Sequence, residues 1–145
     1  MDELNNSQRN SIWASLFEFE DACRQTKKWL INGDDAGILY SQKMHLNSSE
    51  REEILKQVQS GLQKIRILKR KYDLETSQES IERKILALMS HSWANLCDTK
   101  SKHLNGYGEL SPKLSTEIDR EMGYLSDLSM QIYKIIENAI RPSHK

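Results

Sequence analysis

The chain has 145 residues, 37% of them hydrophobic and 29% charged, with only six glycines and two prolines. This length and composition are typical of a single helical domain with its own core, and they exclude collagen-like and low-complexity proteins. Because 21 basic residues balance 21 acidic ones, no net charge attracts the protein to nucleic acid or to an anionic membrane.

The first helix is predicted over residues 8–32, where apolar or small residues recur at alternating steps of four and three. Its stripe consists of Ile12, Leu16, Phe19, Cys23, Thr26 and Leu30, with Trp13, Ala22 and Trp29 beside it. Gly33 ends this helix, because glycine readily adopts the left-handed conformation of a helix C-terminus. Residues 34–47 follow no single period, and we interpret them as a connection with room for a short helical turn.

The second helix begins at the capping box Ser49-x-x-Glu52. Its stripe consists of Ile54, Val58, Leu62, Ile65, Leu68 and Tyr72. Gly61 interrupts the helix interior, where glycine costs up to about 1 kcal/mol relative to alanine. We therefore expect a neighbouring helix to cross closely at this glycine.

A second capping box, Thr76-x-x-Glu79, predicts a third helix over residues 78–105. Its stripe consists of Ile81, Ile85, Leu88, Met89, Trp93, Leu96 and Leu104. The turn-forming residues 105–108, Asn-Gly-Tyr-Gly, end the helix.

The fourth helix starts at Ser111-Pro112, with serine as the N-cap and proline at the first helical position, and it ends before Pro142. Its stripe consists of Leu114, Ile118, Met122, Leu125, Leu128, Ile132, Ile135, Ile136 and Ala139. The four stripes predict an all-α protein without strands. Short breaks and steps averaging 3.5 residues favour an elongated, antiparallel, left-handed helical bundle.

Two helices carry tryptophans in a pattern that resembles the spectrin repeat. In that family the third helix reads Trp-x-x-Leu, followed by a basic position and a leucine. Here the motif falls on Trp93 and Leu96, with His103 at the basic position and Tyr107 at the leucine position. Trp29 corresponds to the tryptophan of the first helix. The resemblance covers residues 10–108.

The resemblance implies a three-helix left-handed bundle for residues 1–110. A fourth helix over residues 111–145 then either packs on this bundle or starts a following unit. The resemblance also implies that Trp29, Trp93 and Leu96 anchor the core. The size of an indole leads to the same expectation for Trp93, since one buried indole covers on the order of 200 Å².

Two further features are candidates for binding a partner. Trp13 lies beside the main stripe, so it is either a partner-facing aromatic or the edge of the core. The densest charge in the chain is formed by Lys64, Arg66, Lys69, Arg70 and Lys71. These cations are either a solvated face or a contact for an acidic protein or a membrane surface. Nucleic-acid stacking would require interleaved aromatic residues, which this run lacks.

Sequence patterns of catalysis and metal binding are missing. The chain contains no Glu-x-x-His pair, no Gly-x-Ser-x-Gly turn and no glycine-rich loop followed by lysine. Cys23 and Cys97 are isolated, which is typical of proteins in the reducing cytoplasm. We therefore predict a cytoplasmic protein that is not an enzyme and needs neither metal nor cofactor.

The spectrin-repeat resemblance implies a non-catalytic scaffold or linker module that mediates protein–protein interaction in a cytoskeletal, nuclear-envelope or anchoring assembly. The fourth helix, with Leu128, Ile132 and Ile135, is the candidate surface for a target helix or for a second copy in a homodimer. The alternative is a stand-alone four-helix adaptor of trafficking or signalling, whose basic face binds acidic protein or membrane.

Overall fold

The computed structural model describes residues 3–141, and these residues form helices and one very small pair of strands. In chain order the elements are α1 (Asn6–Asn32), β1 (Asp35–Ala36), β2 (Ser41–Gln42), α2 (Ser48–Lys71), α3 (Ile81–Asp98), α4 (Ser101–Leu104) and α5 (Pro112–Ile140), with a 3₁₀ turn at Asn105–Tyr107. The predicted helical class is confirmed. The chain divides into two compact units between Thr76 and Ser77.

The first unit is an antiparallel hairpin of α1 and α2. Arg9, near the start of α1, donates a hydrogen bond from Nε to the carbonyl oxygen of Tyr72 just beyond α2, at 3.3 Å. At the opposite end, Arg51 of α2 donates to the carbonyl oxygen of Leu30. The buried apolar side chains of this unit are Cys23, Leu30, Val58 and Leu74.

The end of α1 is the predicted one. Gly33 has a φ of 74°, and its N–H donates to the carbonyl oxygen of Trp29 at 2.8 Å. A side chain in this conformation would be strained, so glycine is required here.

The connection after α1 contains a β-hairpin, and the predicted helical turn is wrong. Asp35 pairs with Gln42 and Ala36 with Ser41 in antiparallel register. The two residues between Gly37 and Tyr40 form the loop, which the Gly37 N–H closes by donating to the Tyr40 carbonyl oxygen at 3.0 Å. The aliphatic loop residues fit no period because they are at the tip, exposed to solvent.

The starts of α2 and α3 differ from the predicted capping boxes. Asn47 accepts the N–H of Glu50 at 2.8 Å, and the Glu50 carboxylate accepts the N–H of Asn47 at 3.0 Å. Helix α2 therefore starts ahead of the predicted Ser49 box. Helix α3 starts later than predicted, because Ser80 accepts the N–H of Arg83 at 3.3 Å and is its N-cap. Polar residues adjoin both starts, and several of them are competent caps.

The close crossing expected at Gly61 is confirmed. A Cβ atom at this position would lie 2.9 Å from Cε2 of Phe19 and 3.6 Å from Sγ of Cys23, both on α1. Glycine thus lets the Phe19 ring lie directly against the backbone of α2.

The second unit is an antiparallel hairpin of α3 and α5. Ser129 of α5 contacts Met89 of α3, and Asp119, earlier in α5, contacts Ser101 beyond the end of α3. The predicted division after residue 110 therefore falls inside this unit, in which α3 pairs with the predicted fourth helix. The predicted start of that helix is confirmed, since the Ser111 hydroxyl accepts the N–H of Leu114 at 3.2 Å. Pro142, its predicted end, lies outside the described residues.

The predicted third helix is interrupted at Thr99 and Lys100. Lys100 precedes α4 and provides no side-chain cap. The carboxylate of Asp119 replaces that cap by accepting the N–H of Ser101 at 2.7 Å and its hydroxyl at 2.8 Å. These hydrogen bonds, the backbone one first, lower the pKa of Asp119. The interruption depends on a residue 18 positions away, which no local pattern predicts.

Gly61→Ala tests the helix crossing when it is made in the wild type and in Phe19→Ala. Alanine favours the helix by about 1 kcal/mol over glycine, but in the wild type its methyl group displaces the Phe19 ring. We expect Gly61→Ala to stabilise the Phe19→Ala protein by about 1 kcal/mol and the wild type by clearly less. Urea unfolding of the four proteins measures the difference, and equal effects in both backgrounds would contradict the crossing.

Asp119→Ala tests the cap of α4. A lowered pKa means that the ionised carboxylate stabilises the folded state, so its contribution is complete above the ordinary value of 3.8 and is lost as the pH falls through the lowered pKa. We expect the urea midpoint of Asp119→Ala to lie below that of the wild type from about pH 5 to pH 7. The two midpoints should converge at lower pH, and a gap that persists there would argue against the ionised cap.

Candidate functional site

The side of α5 that packs on α3 contains two buried serines. Ser126 and Ser129 are buried. The Ser129 hydroxyl donates to the carbonyl oxygen of Met89 at 2.7 Å, and the Ser126 hydroxyl donates to the carbonyl oxygen of Gly123 at 3.0 Å. Both hydroxyls have partners, so their burial is not penalised. The contact side of α5 thus combines these serines with Met122, Met130 and Tyr133, which are half-buried, while the more exposed aliphatic side chains lie elsewhere.

A stripe of large aliphatic residues on α5 is exposed. It consists of Leu125, Leu128, Ile132 and Ile135, which we call the aliphatic stripe. Their exposed fractions lie between 37% and 67%. At about 100° per residue, the aliphatic stripe is centred roughly 110° around the helix from the buried serines. The same side chains therefore cannot also pack on α3.

Helix α3 extends this exposed surface. Ile81 and Leu88 are 72% and 63% exposed. Because Ser129 is hydrogen-bonded to Met89, the neighbouring Leu88 lies at the same position along the hairpin axis as the middle of the aliphatic stripe. The angular positions of Ile81 and Leu88 place them on the same side of the hairpin as the stripe. We call these two residues together with the aliphatic stripe the apolar face.

The apolar face is large for a surface that meets only water. The exposed fractions of its six residues together equal about three fully exposed aliphatic side chains, whose burial would contribute on the order of 5–9 kcal/mol. That energy is comparable with the whole stability of a typical domain. Its exposed apolar surface makes this face the candidate functional site.

The first unit also exposes large apolar side chains, among them Ile38 and Leu39 at the tip of the β-hairpin. Its exposed aromatic residues lie on different sides of α1, and two of them have partners within the hairpin. Phe17 stacks on Trp13 with ring centroids 5.0 Å apart, and Phe19 lies against Gly61. Within residues 3–141, the buried apolar side chains all belong to this unit.

The expectation that Trp29 and Trp93 are enclosed is wrong. The two residues are 37% and 40% exposed, while Leu96 is half-buried. A pair of helices covers an indole from one side only, and full enclosure requires a third helix. These tryptophans are therefore edges of their hairpins.

Trp13 lies at the edge of the first unit's core. It is half-buried, and its indole Nε1–H donates to the carbonyl oxygen of Glu75 at 2.9 Å. This hydrogen bond fastens the segment after α2 to the first half of α1. Trp13 thus has a structural partner that accounts for its position.

The five basic residues of α2 do not form one patch. The Lys69 ammonium donates to the hydroxyl of Thr76, and the Lys71 ammonium lies 5.5 Å from the centroid of the Tyr72 ring. At about 100° per residue, Lys64 and Lys71 lie on one side of the helix, and Arg66 and Arg70 lie on the other. The cations of the last turn also complement the negative end of the helix dipole.

Three cations, Arg24, Lys27 and Lys28, line a cavity of about 290 Å³ near the end of α1. Burial raises the pKa of the Cys23 thiol, and the Glu20 carboxylate raises it further, so the thiol is protonated at neutral pH and is a poor nucleophile. Cys23 borders an apolar groove of about 200 Å³ between α1 and α2. Within residues 3–141, no group of three or more His, Cys, Asp and Glu side chains is arranged to hold a metal ion. In the same range, every helix is too short or too polar to cross a bilayer.

Sequence reasoning found the aliphatic stripe but missed two components of the site. Leu88 was assigned to the core stripe of the third helix, and the buried serines were not singled out. A signal was present in the sequence, because Ser126 and Ser129 recur at the same three-residue interval as Leu125 and Leu128. Small residues at helical spacing indicate a possible close helix contact that competes with the larger apolar stripe.

Comparison of the chain with protein-family models, with curated proteins and with solved structures finds no match.

Trp13→Phe tests the structural role of this indole. Phenylalanine keeps most of the ring contact with Phe17 but loses the hydrogen bond to Glu75, so we expect the free energy of unfolding to fall by about 0.5–1 kcal/mol. Urea unfolding measures the change, with Phe17→Leu as a control that keeps the hydrogen bond. Unchanged stability in Trp13→Phe would favour the partner-facing role.

Proposed function

We propose that this chain is a non-catalytic module that mediates protein–protein interaction by accepting a helix on its apolar face. The observation that carries the proposal is the inverted burial of α5, which buries Ser126 and Ser129 while Leu128 and Ile132 remain exposed. Burying serines while exposing leucine and isoleucine is unfavourable for an isolated protein. The arrangement becomes favourable when a partner covers the aliphatic stripe.

The binding mode follows from the spacing of the aliphatic stripe. Leu125, Leu128, Ile132 and Ile135 follow one another at steps of three, four and three residues, which is the seam of a coiled coil. A partner helix with apolar residues at the same steps places its side chains between those of the stripe. Leu128 and Ile132, at the centre, would lose the most water and would contribute most to affinity.

The wider role that we propose is that of a scaffold or linker in the manner of spectrin repeats, within a cytoplasmic cytoskeletal or anchoring assembly. Support comes from the predominance of long paired helices and from the tryptophan pattern of Trp29 and Trp93 in the sequence. Modules of the spectrin-repeat family serve as spacers and as docking surfaces for other helices.

The non-catalytic part of the proposal is supported by the placement of reactive groups. The Cys23 thiol is buried and has a raised pKa. The carboxylates whose pKa is lowered accept hydrogen bonds that fix local backbone, as Asp34 does from the N–H of Met44 at 2.7 Å. These groups have structural roles and do not face a common cavity.

A labelled amphipathic peptide with leucine at both seam positions of each heptad tests the docking surface. Fluorescence anisotropy of this peptide with the full chain measures binding, and we expect a dissociation constant on the order of micromolar. Ile132→Glu places a charge in the centre of the aliphatic stripe and should weaken binding at least about tenfold.

The matched control is Lys134→Glu, which introduces the same side chain at an exposed position on the other side of α5. It should bind the peptide as the wild type does, and circular dichroism should show that both variants remain helical. If the wild type fails to bind, or if both variants lose binding equally, the apolar face is not a docking surface for helices.

A further inference from the structure

We propose that the helix accepted by the apolar face is α5 of a second copy of this chain, so that two α3–α5 hairpins pack face to face around a twofold axis. This inference rests on the proposed function, because it names the partner of the same surface. In such an isologous interface the same residues of both copies meet. The assembly then contains four helices with the two aliphatic stripes in its centre.

The flanks of the aliphatic stripe favour a partner identical to itself. Charged residues at these flanking positions normally select the partner of a coiled coil. Here the outer flank carries Tyr124, Gln131 and Asn138, and the inner flank carries Ser129 and Ile136. Because these side chains are uncharged, two identical stripes meet without repulsion along their centre.

Acidic residues at one end determine the direction of pairing. Glu117 and Glu121 lie at the start of α5, and Glu121 continues the seam of the stripe by one step. A parallel pair would set Glu121 beside Glu121 of the second copy, which like charges disfavour. An antiparallel pair separates the two acidic ends by roughly 30 Å, well beyond the screening length of about 8 Å in physiological salt. The pairing is therefore antiparallel, with the twofold axis perpendicular to the two copies of α5.

The area of the apolar face suits a weak dimer. From Ile118 to Ala139 the seam of α5 is about 32 Å long, and α3 widens the face with Ile81 and Leu88. With a helix diameter of about 10 Å, the seam projects to roughly 300 Å² per copy, and the stretch of α3 adds roughly 100 Å². The total of roughly 800 Å² for two copies lies in the range of weak, transient interfaces.

Sedimentation velocity of the full chain from about 1 to 200 µM tests self-association, with a dimer expected in the upper part of this range. We expect Ile132→Glu to raise the dissociation constant at least about 100-fold and Lys134→Glu to leave it within about twofold. A wild type that remains monomeric at 200 µM, or a dimer that Ile132→Glu leaves intact, would overturn the second-copy inference.

Crosslinking tests the direction of pairing. In an antiparallel pair centred on the stripe, residue 131 of each copy lies near the twofold axis. Gln131→Cys, in a Cys97→Ser background, should form an intermolecular disulfide under mild oxidation, while Lys134→Cys in the same background should not. Equal crosslinking at both positions, or none at residue 131, would contradict this geometry.

The peptide measurement separates this inference from the function on which it rests. If the wild type is monomeric but binds the amphipathic peptide, the second-copy inference is wrong and the docking surface stands. If the wild type is monomeric and does not bind the peptide, both proposals are wrong.

Discussion

The contact between the Ser129 hydroxyl and the carbonyl oxygen of Met89 determines which side of α5 packs on α3. This contact brings Ser126, Ser129 and the half-buried Met122, Met130 and Tyr133 inward and turns the aliphatic stripe away. A helix of this kind has two candidate contact sides, and only one of them packs on α3. The exposed apolar face of the second unit follows directly from that choice.

The ends of the helices show what the sequence can and cannot predict. Gly33 and the Ser111-Pro112 pair mark true ends, because their capping hydrogen bonds are made within one turn and depend on adjacent residues. Asn47, Ser80 and the break before Ser101 were missed for two reasons. Where several polar residues adjoin a start, the adjacent sequence does not distinguish among them. Where the cap is Asp119 of another helix, no adjacent residue gives the signal.

The candidate site was predicted only in part for a similar reason. Periodicity shows that Leu128 and Ile132 must be covered, but it does not show by what. Leu88 follows the same period as the core residues of α3, and only the pairing with α5 reveals that it lies outside the contact. Trp93 was expected inside a bundle, and it is partly exposed because two helices cannot enclose an indole.

The two hairpins differ in how they bury their apolar side chains. In the first unit, Gly61 admits the Phe19 ring and the segment after α2 folds back to bury Leu74. The length of the second unit, Ser77–Lys145, lies below the roughly 70–80 residues at which a single core suffices. Its described residues show neither a ring packed on a glycine nor a buried aliphatic side chain. Its folded state then gains stability from whatever covers the apolar face, and this gain increases with the concentration of that partner. In the dimer that we propose, the same aliphatic side chains couple folding and association of the second unit.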